Sequence, residues 1–202
     1  MGFSKFISYF FHPINFPIVG TIVYFLFIPK HIYKSQEYTI LTVIIIGSYL
    51  FPLFLLFMLK QFKMISSIQS ATIEERKFPT SLMIAISLIL TNWLFKNQIV
   101  DLLALFFLGF GIALSIAYLL LHVKIKISLH AIGISGLIGF LLYFSYVYRI
   151  NFILIYILLF VLAGFIISAR LKLRAHTAKE VFLGFFVGLL SQLATFGVFY
   201  IM

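Results

Sequence analysis

His176 stands six residues after Arg170 and four before Glu180, where the last apolar run of the chain begins, and His130 follows Ser128 by two at the start of another. A carboxylate one helical turn from an imidazole accepts a hydrogen bond from one ring nitrogen, which fixes the tautomer and leaves the other nitrogen free to attack. An arginine nearby offers the planar pair of donors that suits a phosphate. A helix starting at 177 would add free amides pointing at the same anion. The chemistry open to such a set is nucleophilic attack by a histidine on phosphorus. Plainer readings exist: Thr177-x-x-Glu180 fits a capping box that simply starts the helix, and Arg170, Lys172 and Arg174 fit interfacial cations whose stems lie along apolar surface.

The second segment bears on that choice. Lys124, Lys126, Ser128 and His130 alternate with Ile and Leu, so in an extended stretch all four turn toward one face. An ionisable residue at the rim of an apolar span is costly unless satisfied, which makes His130 a functional candidate. Its plain alternative is a histidine bonded to a neighbouring helix.

The elements that must position these residues are set by composition. Of 202 residues, 63% are hydrophobic and 10% charged, with a mean hydropathy of +1.18, too few charges to face water as a soluble domain. A crossing of about 30 Å of hydrocarbon takes roughly 20 apolar residues, so the expected fold is all-α, a polytopic transmembrane bundle of six or seven spans forming one membrane domain over 1–202. Apolar runs place the spans near 14–29, 39–60, 80–95, 99–121, 130–148, 151–169 and 179–201. Residues 1–13, with Lys5, Tyr9 and His12 among phenylalanines, read as an interfacial segment, and no removable signal peptide is expected. The chain has no cysteine, so thiol nucleophiles, thiolate metal sites and disulfides are excluded.

Fifteen Lys and Arg against five acidic residues give a net charge of +10. The cations fall in connections between apolar runs, where anionic lipid headgroups are nearer partners than nucleic acid. Alternating the connections from side to side puts 61–79, 122–129, 170–178 and the N-terminus together. Eleven of the fifteen cations lie on that side, against Lys30, Lys34, Lys96 and Arg149 on the other. Such a bias favours a cytoplasmic site. Small residues at Gly133, Gly136, Gly139, Gly184 and Gly188 recur at helical spacing and predict close helix packing.

With both histidine segments in view the chain resembles the type 2 phosphatidic acid phosphatase superfamily of integral membrane lipid phosphatases. Three motifs mark that family: Lys-x6-Arg-Pro, Pro-Ser-Gly-His and Ser-Arg-x5-His-x3-Asp. Arg170, His176 and Glu180 match the third, with Glu for Asp and Ser168 displaced by one residue; Ser128 and His130 match the second, with Ile127 and Leu129 in place of Pro and Gly. The first is poorly matched, its nearest counterpart being Glu74-Glu-Arg76-Lys77-Phe-Pro79. The resemblance covers about the last 130 residues and implies His176 as nucleophile, His130 as acid and then base, and Glu180 orienting His176. Arg170, Arg76, Lys126 and Ser128 would hold the phosphate. It implies a lipid phosphate or diphosphate as substrate and no cofactor. Glu74, Glu75 and Glu180 are too scattered for a magnesium cage, and two histidines fall short of a zinc site. Two other classes compete: a transporter or scaffold that binds lipid headgroups without chemistry, and a metal-linked hydrolase or heme-type carrier using His12, His31, His122, His130 and His176.

Overall fold

A threonine begins the helix that shapes the site. Thr72 accepts from the Glu75 amide and the Glu75 side chain reaches back to the Thr72 amide, a reciprocal cap that starts a helix at Ile73, seven residues before the span predicted at 80–95. Charges and Pro79 suggested a break there, but Pro79 falls within the helix, whose start is already secured by the cap. This early start makes Arg76 a helical residue, 7% exposed.

The structure, a computed structural model, describes residues 2–65, 72–97 and 100–201, so part of the connection 61–79 and the first residue of the span predicted at 99–121 lie outside the described residues. Its elements are α1 (Phe3–Phe10), a 3-10 turn (Pro13–Asn15), α2 (Phe16–Phe27), α3 (Lys34–Ile45), a π-turn (Ile46–Leu50), α4 (Phe51–Gln61), α5 (Ile73–Lys96), α6 (Asp101–His122), α7 (Leu129–Tyr148), α8 (Ile153–Lys172) and α9 (Ala178–Ile201). No strand occurs among the described residues. Seven helical stretches are long and apolar enough to cross a membrane: Phe3–Phe27, Lys34–Gln61 and α5 to α9. The protein is an all-α, multi-pass membrane bundle.

The first of these stretches reverses between α1 and α2, so its 25 residues count as one stretch by length and composition but are shared by two oppositely directed helices. Phe3 meets Phe165 edge-on at 6.0 Å and Ser8 meets Arg170, so α1 runs parallel to α8 toward the end where α8 stops. α2 runs the opposite way, with His12 against His130, Tyr24 against Phe144 and Phe27 against Phe152. Phe3, Phe6 and Phe10 stay on the outer surface of α1, while Ile7 and Ser8 are buried. Pro52 has no amide hydrogen to give Ser48, and the π-turn just before it lets α3 and α4 continue as one stretch.

α7 is the core of the bundle, buried almost continuously from His130 to Leu141. α9 packs against it where glycines allow: a Cβ on Gly184 would lie 2.7 Å from the Ser128 carbonyl, and one on Gly188 would collide with Ser135 and Ile132. That approach lets the Ser128 amide donate to the Glu180 carbonyl at 3.1 Å, stitching the start of α7 to the start of α9. Deeper in, Gln192 of α9 donates to the Phe106 carbonyl of α6 at 2.9 Å and accepts from the Tyr143 hydroxyl of α7 at 3.3 Å. A satisfied amide of this kind links three helices where no water competes. At the helix ends Lys63, Lys124, Arg149 and Arg174 adopt the left-handed conformation (φ 51° to 61°), placing cations beside the negative ends of α4, α6, α7 and α8.

Candidate active site

The first turn of α5, the segment before α7 and the connection between α8 and α9 meet at one end of the bundle, bringing a guanidinium, two main-chain carbonyls and an imidazole together. Arg76, one turn into α5, donates from Nη1 to the Ile127 carbonyl at 3.2 Å, in the segment leading to α7. Its Nη2 lies 3.4 Å from Nε2 of His176, in the connection between α8 and α9. A guanidinium only donates, so Nε2 must present its lone pair. The proton is therefore on Nδ1, which donates to the Lys126 carbonyl at 2.9 Å. Glu180 Oε2 lies 3.4 Å from the same Nδ1. Burial first, then the charges of Arg76 and Arg170, push the His176 pKa down to about 3. The imidazole is thus neutral at physiological pH, with a defined tautomer and its nucleophilic nitrogen turned toward a cation.

Glu180 serves two partners. Its carboxylate accepts from the Thr177 amide at 2.8 Å while its own amide donates to Thr177 Oγ1 at 3.3 Å, the capping box that begins α9. The capping and histidine-orienting readings of this residue are therefore compatible, with the nearer acceptor for His176 being the main chain of residue 126. Lys126 is half-buried, and burial together with Arg76 lowers the pKa of its ammonium. Ser128 is fully buried at the N-cap of α7, accepting from the Ala131 amide at 3.4 Å.

His130 and Arg170 form the other half of the cluster. His130 is 5% exposed and Arg170 3% exposed. Both bond to Ser8 of α1: His130 Nε2 to its carbonyl at 3.0 Å, and Arg170 Nη1 to its hydroxyl. Since a carbonyl only accepts, Nε2 of His130 carries the proton. The Nε–H of Arg170 is buried with no hydrogen-bond partner among the described residues. A guanidinium whose bonded partner is a neutral hydroxyl, and which keeps a further buried donor, is in surroundings that favour an anion.

A cavity of about 90 Å³ opens beside these groups. Its polar end is formed by His12, Arg76, His130 and Arg170; its other walls are apolar, from α4, α5 and α6, including Leu55, Met83 and Phe110. His12 accepts from the Ile14 amide through Nδ1 at 3.4 Å and rests edge-on against His130, 5.8 Å between centroids.

Of the site residues proposed from sequence, Arg76, His130, Arg170, His176 and Glu180 are brought to one end of the bundle. Lys126 takes part through its carbonyl, and Ser128 as a cap outside the cavity lining. His12 joins the cavity, whereas His31 precedes α3 at the opposite end. Ser8 carried no motif, and only its place on the inner face of an amphipathic helix, four residues before His12, could have marked it. No three His, Asp or Glu side chains converge as a metal-binding group among the described residues. The chain matches no family model, no curated protein and no solved structure.

Proposed function

We propose that this protein is a multi-pass lipid phosphatase of a bacterial plasma membrane, acting on a phosphate monoester or diphosphate and related to the type 2 phosphatidic acid phosphatases. The observation that carries the reading is the state of His176: neutral, with Nδ1–H on a main-chain carbonyl and the Nε2 lone pair beside the Arg76 guanidinium. A phosphate drawn from the cavity to Arg76 and Arg170 would reach that lone pair across the Arg76 guanidinium, His176 itself standing outside the cavity lining. Nε2 forms a bond to phosphorus as the bond to the lipid oxygen breaks, and Nδ1 of His130, protonated beforehand by the acidic proton of the bound phosphate monoanion while Nε2–H stays on the Ser8 carbonyl, gives that proton to the departing alkoxide. Water, deprotonated by His130, then attacks phosphorus, the N–P bond breaks, and inorganic phosphate leaves with His176 restored. Phosphoryl transfer asks chiefly for in-line positioning and for compensation of spread negative charge, which the two arginines supply.

The cavity supports the substrate class. A polar end with two guanidiniums and two imidazoles, continuing into walls of Leu, Met and Phe, suits a phosphate headgroup joined to a hydrocarbon chain. The test is release of inorganic phosphate from phosphatidate, phosphatidylglycerol phosphate, a polyprenyl diphosphate and lipid A by the detergent-purified protein with EDTA, beside His176→Ala. Release that the substitution abolishes supports the reading. If no lipid is hydrolysed by folded protein, the hydrolase is ruled out in favour of a headgroup-binding role.

A further inference from the structure

Both α8 and α7 bring a polar group to this site that is held from behind by one residue of α1. Arg170 donates to the Ser8 hydroxyl, and His130 donates through Nε2–H to the Ser8 carbonyl at 3.0 Å. Ser8 is 1% exposed, and with Ile7 it forms the buried face of α1. It lies more than a hundred residues away in sequence from either partner, so the contact is made only when α1 has folded back along α8.

We propose that Ser8 is a positioning residue of the phosphate site: its hydroxyl orients the Arg170 guanidinium, and its carbonyl fixes the ring and tautomer of His130. This rests on the lipid phosphatase reading for what the site does, but not for whether the site binds an anion. The alternative is that the Ser8 oxygens stand where phosphate oxygens belong, making α1 a plug. The cavity argues against it, because Arg170, His130 and Arg76 all line it while Ser8 does not. An anion can therefore reach the arginines from the cavity with Ser8 in place behind them. A guanidinium with one edge held presents its remaining donors in a fixed direction; released, it must be ordered again by each ligand. The hydroxyl is the part of Ser8 that a substitution can remove, so its loss acts on Arg170 first.

The test compares wild type, Ser8→Ala and Ser8→Thr as full-length protein in one detergent. Orthovanadate affinity is read by calorimetry, and phosphate release from phosphatidate is measured alongside. The expected result is an orthovanadate Kd raised about five-fold or more by Ser8→Ala, restored to within about two-fold by Ser8→Thr, with thermal midpoints unchanged. In the hydrolysis assay the same variant raises KM more than it lowers kcat. Unchanged or tighter orthovanadate binding by Ser8→Ala overturns the proposal, tighter binding being what a plug predicts. Absence of orthovanadate binding to wild type overturns it too. Wild type that binds orthovanadate but releases no phosphate defeats the phosphatase reading alone, and Ser8 is then judged on binding. If Ser8→Ala does not fold, Ser8→Cys keeps the volume with a poor acceptor and takes its place.

Discussion

The tautomer of His176 follows from which atoms around it can only donate and which can only accept. Arg76 forces a lone pair on Nε2, and the Lys126 carbonyl forces a proton on Nδ1. Protonating Nε2 would set a cation against Arg76 in a buried place, so the free base persists far below the usual imidazole range, to about pH 3. The kinetic consequence has a definite sign. Attack needs the free base, and between pH 7 and pH 5 the free-base fraction of His176 hardly changes, so this residue should impose no acid limb on kcat/KM in that window. Arg76→Gln removes the nearest cation and leaves the burial, which moves the pKa part of the way back toward 6.5. In a pH–rate profile of phosphate release the acid limb of that variant should appear at higher pH than in wild type, whatever the fall in its maximum. An acid limb that stays in place would mean that Arg76 does not set the protonation of His176.

Among the elements, α9 and α7 decide whether the histidines sit near one another at all, and Gly184 decides how closely those helices approach. A methyl group there would meet main-chain atoms of Ser128, at 2.7 Å from O and 3.2 Å from N, and neither can rotate away. Gly184→Ala should lower the thermal midpoint, break the Ser128 to Glu180 stitch and reduce phosphate release at least ten-fold, by shifting His176 relative to Arg76. Gly164 of α8 is the control, since a Cβ there meets nothing within 4 Å. Gly164→Ala removes only the backbone freedom of a helical glycine, worth roughly 0.5–1 kcal/mol, and should leave activity alone while holding or raising the midpoint. Equal behaviour of the two variants in thermal unfolding would refute the packing account. This is also the scale at which sequence was most informative. Hydropathy located the spans because lipid demands long apolar helices, and glycine spacing pointed to close packing. It missed the start of α5, where a threonine cap outweighed a proline, and it missed the reversal between α1 and α2, which depends on contacts with α7 and α8. The main-chain carbonyls of Ser8, Ile127 and Lys126 were out of reach altogether, since no residue type announces which carbonyl a fold will turn toward a side chain.

For the whole molecule, the open question is which face of the membrane the site occupies, and the architecture makes the question sharp. α5, α7 and α9 all begin at the site end and α4, α6 and α8 all finish there, so the three site-bearing connections cannot be on different sides. Eleven of fifteen cations belong to that end. Arg76 and Arg170 are buried at the site and Lys126 is half-buried beside it, so they are poor topology signals; without them the count is still eight against four. The positive-inside tendency acts through such loop cations during insertion, and on it the site is expected to face the cytoplasm. Because the chain has no cysteine, single introduced thiols report without background. Ala178→Cys marks the exposed start of α9 at the site end, and Tyr33→Cys, at a position 68% exposed, marks the other end. In intact cells a membrane-impermeant maleimide should label the thiol at 33 and reach the thiol at 178 only after permeabilisation. The reverse pattern would turn the protein over, and the cavity would then draw its lipid from the outer leaflet, favouring polyprenyl diphosphate or lipid A over intermediates of phospholipid synthesis.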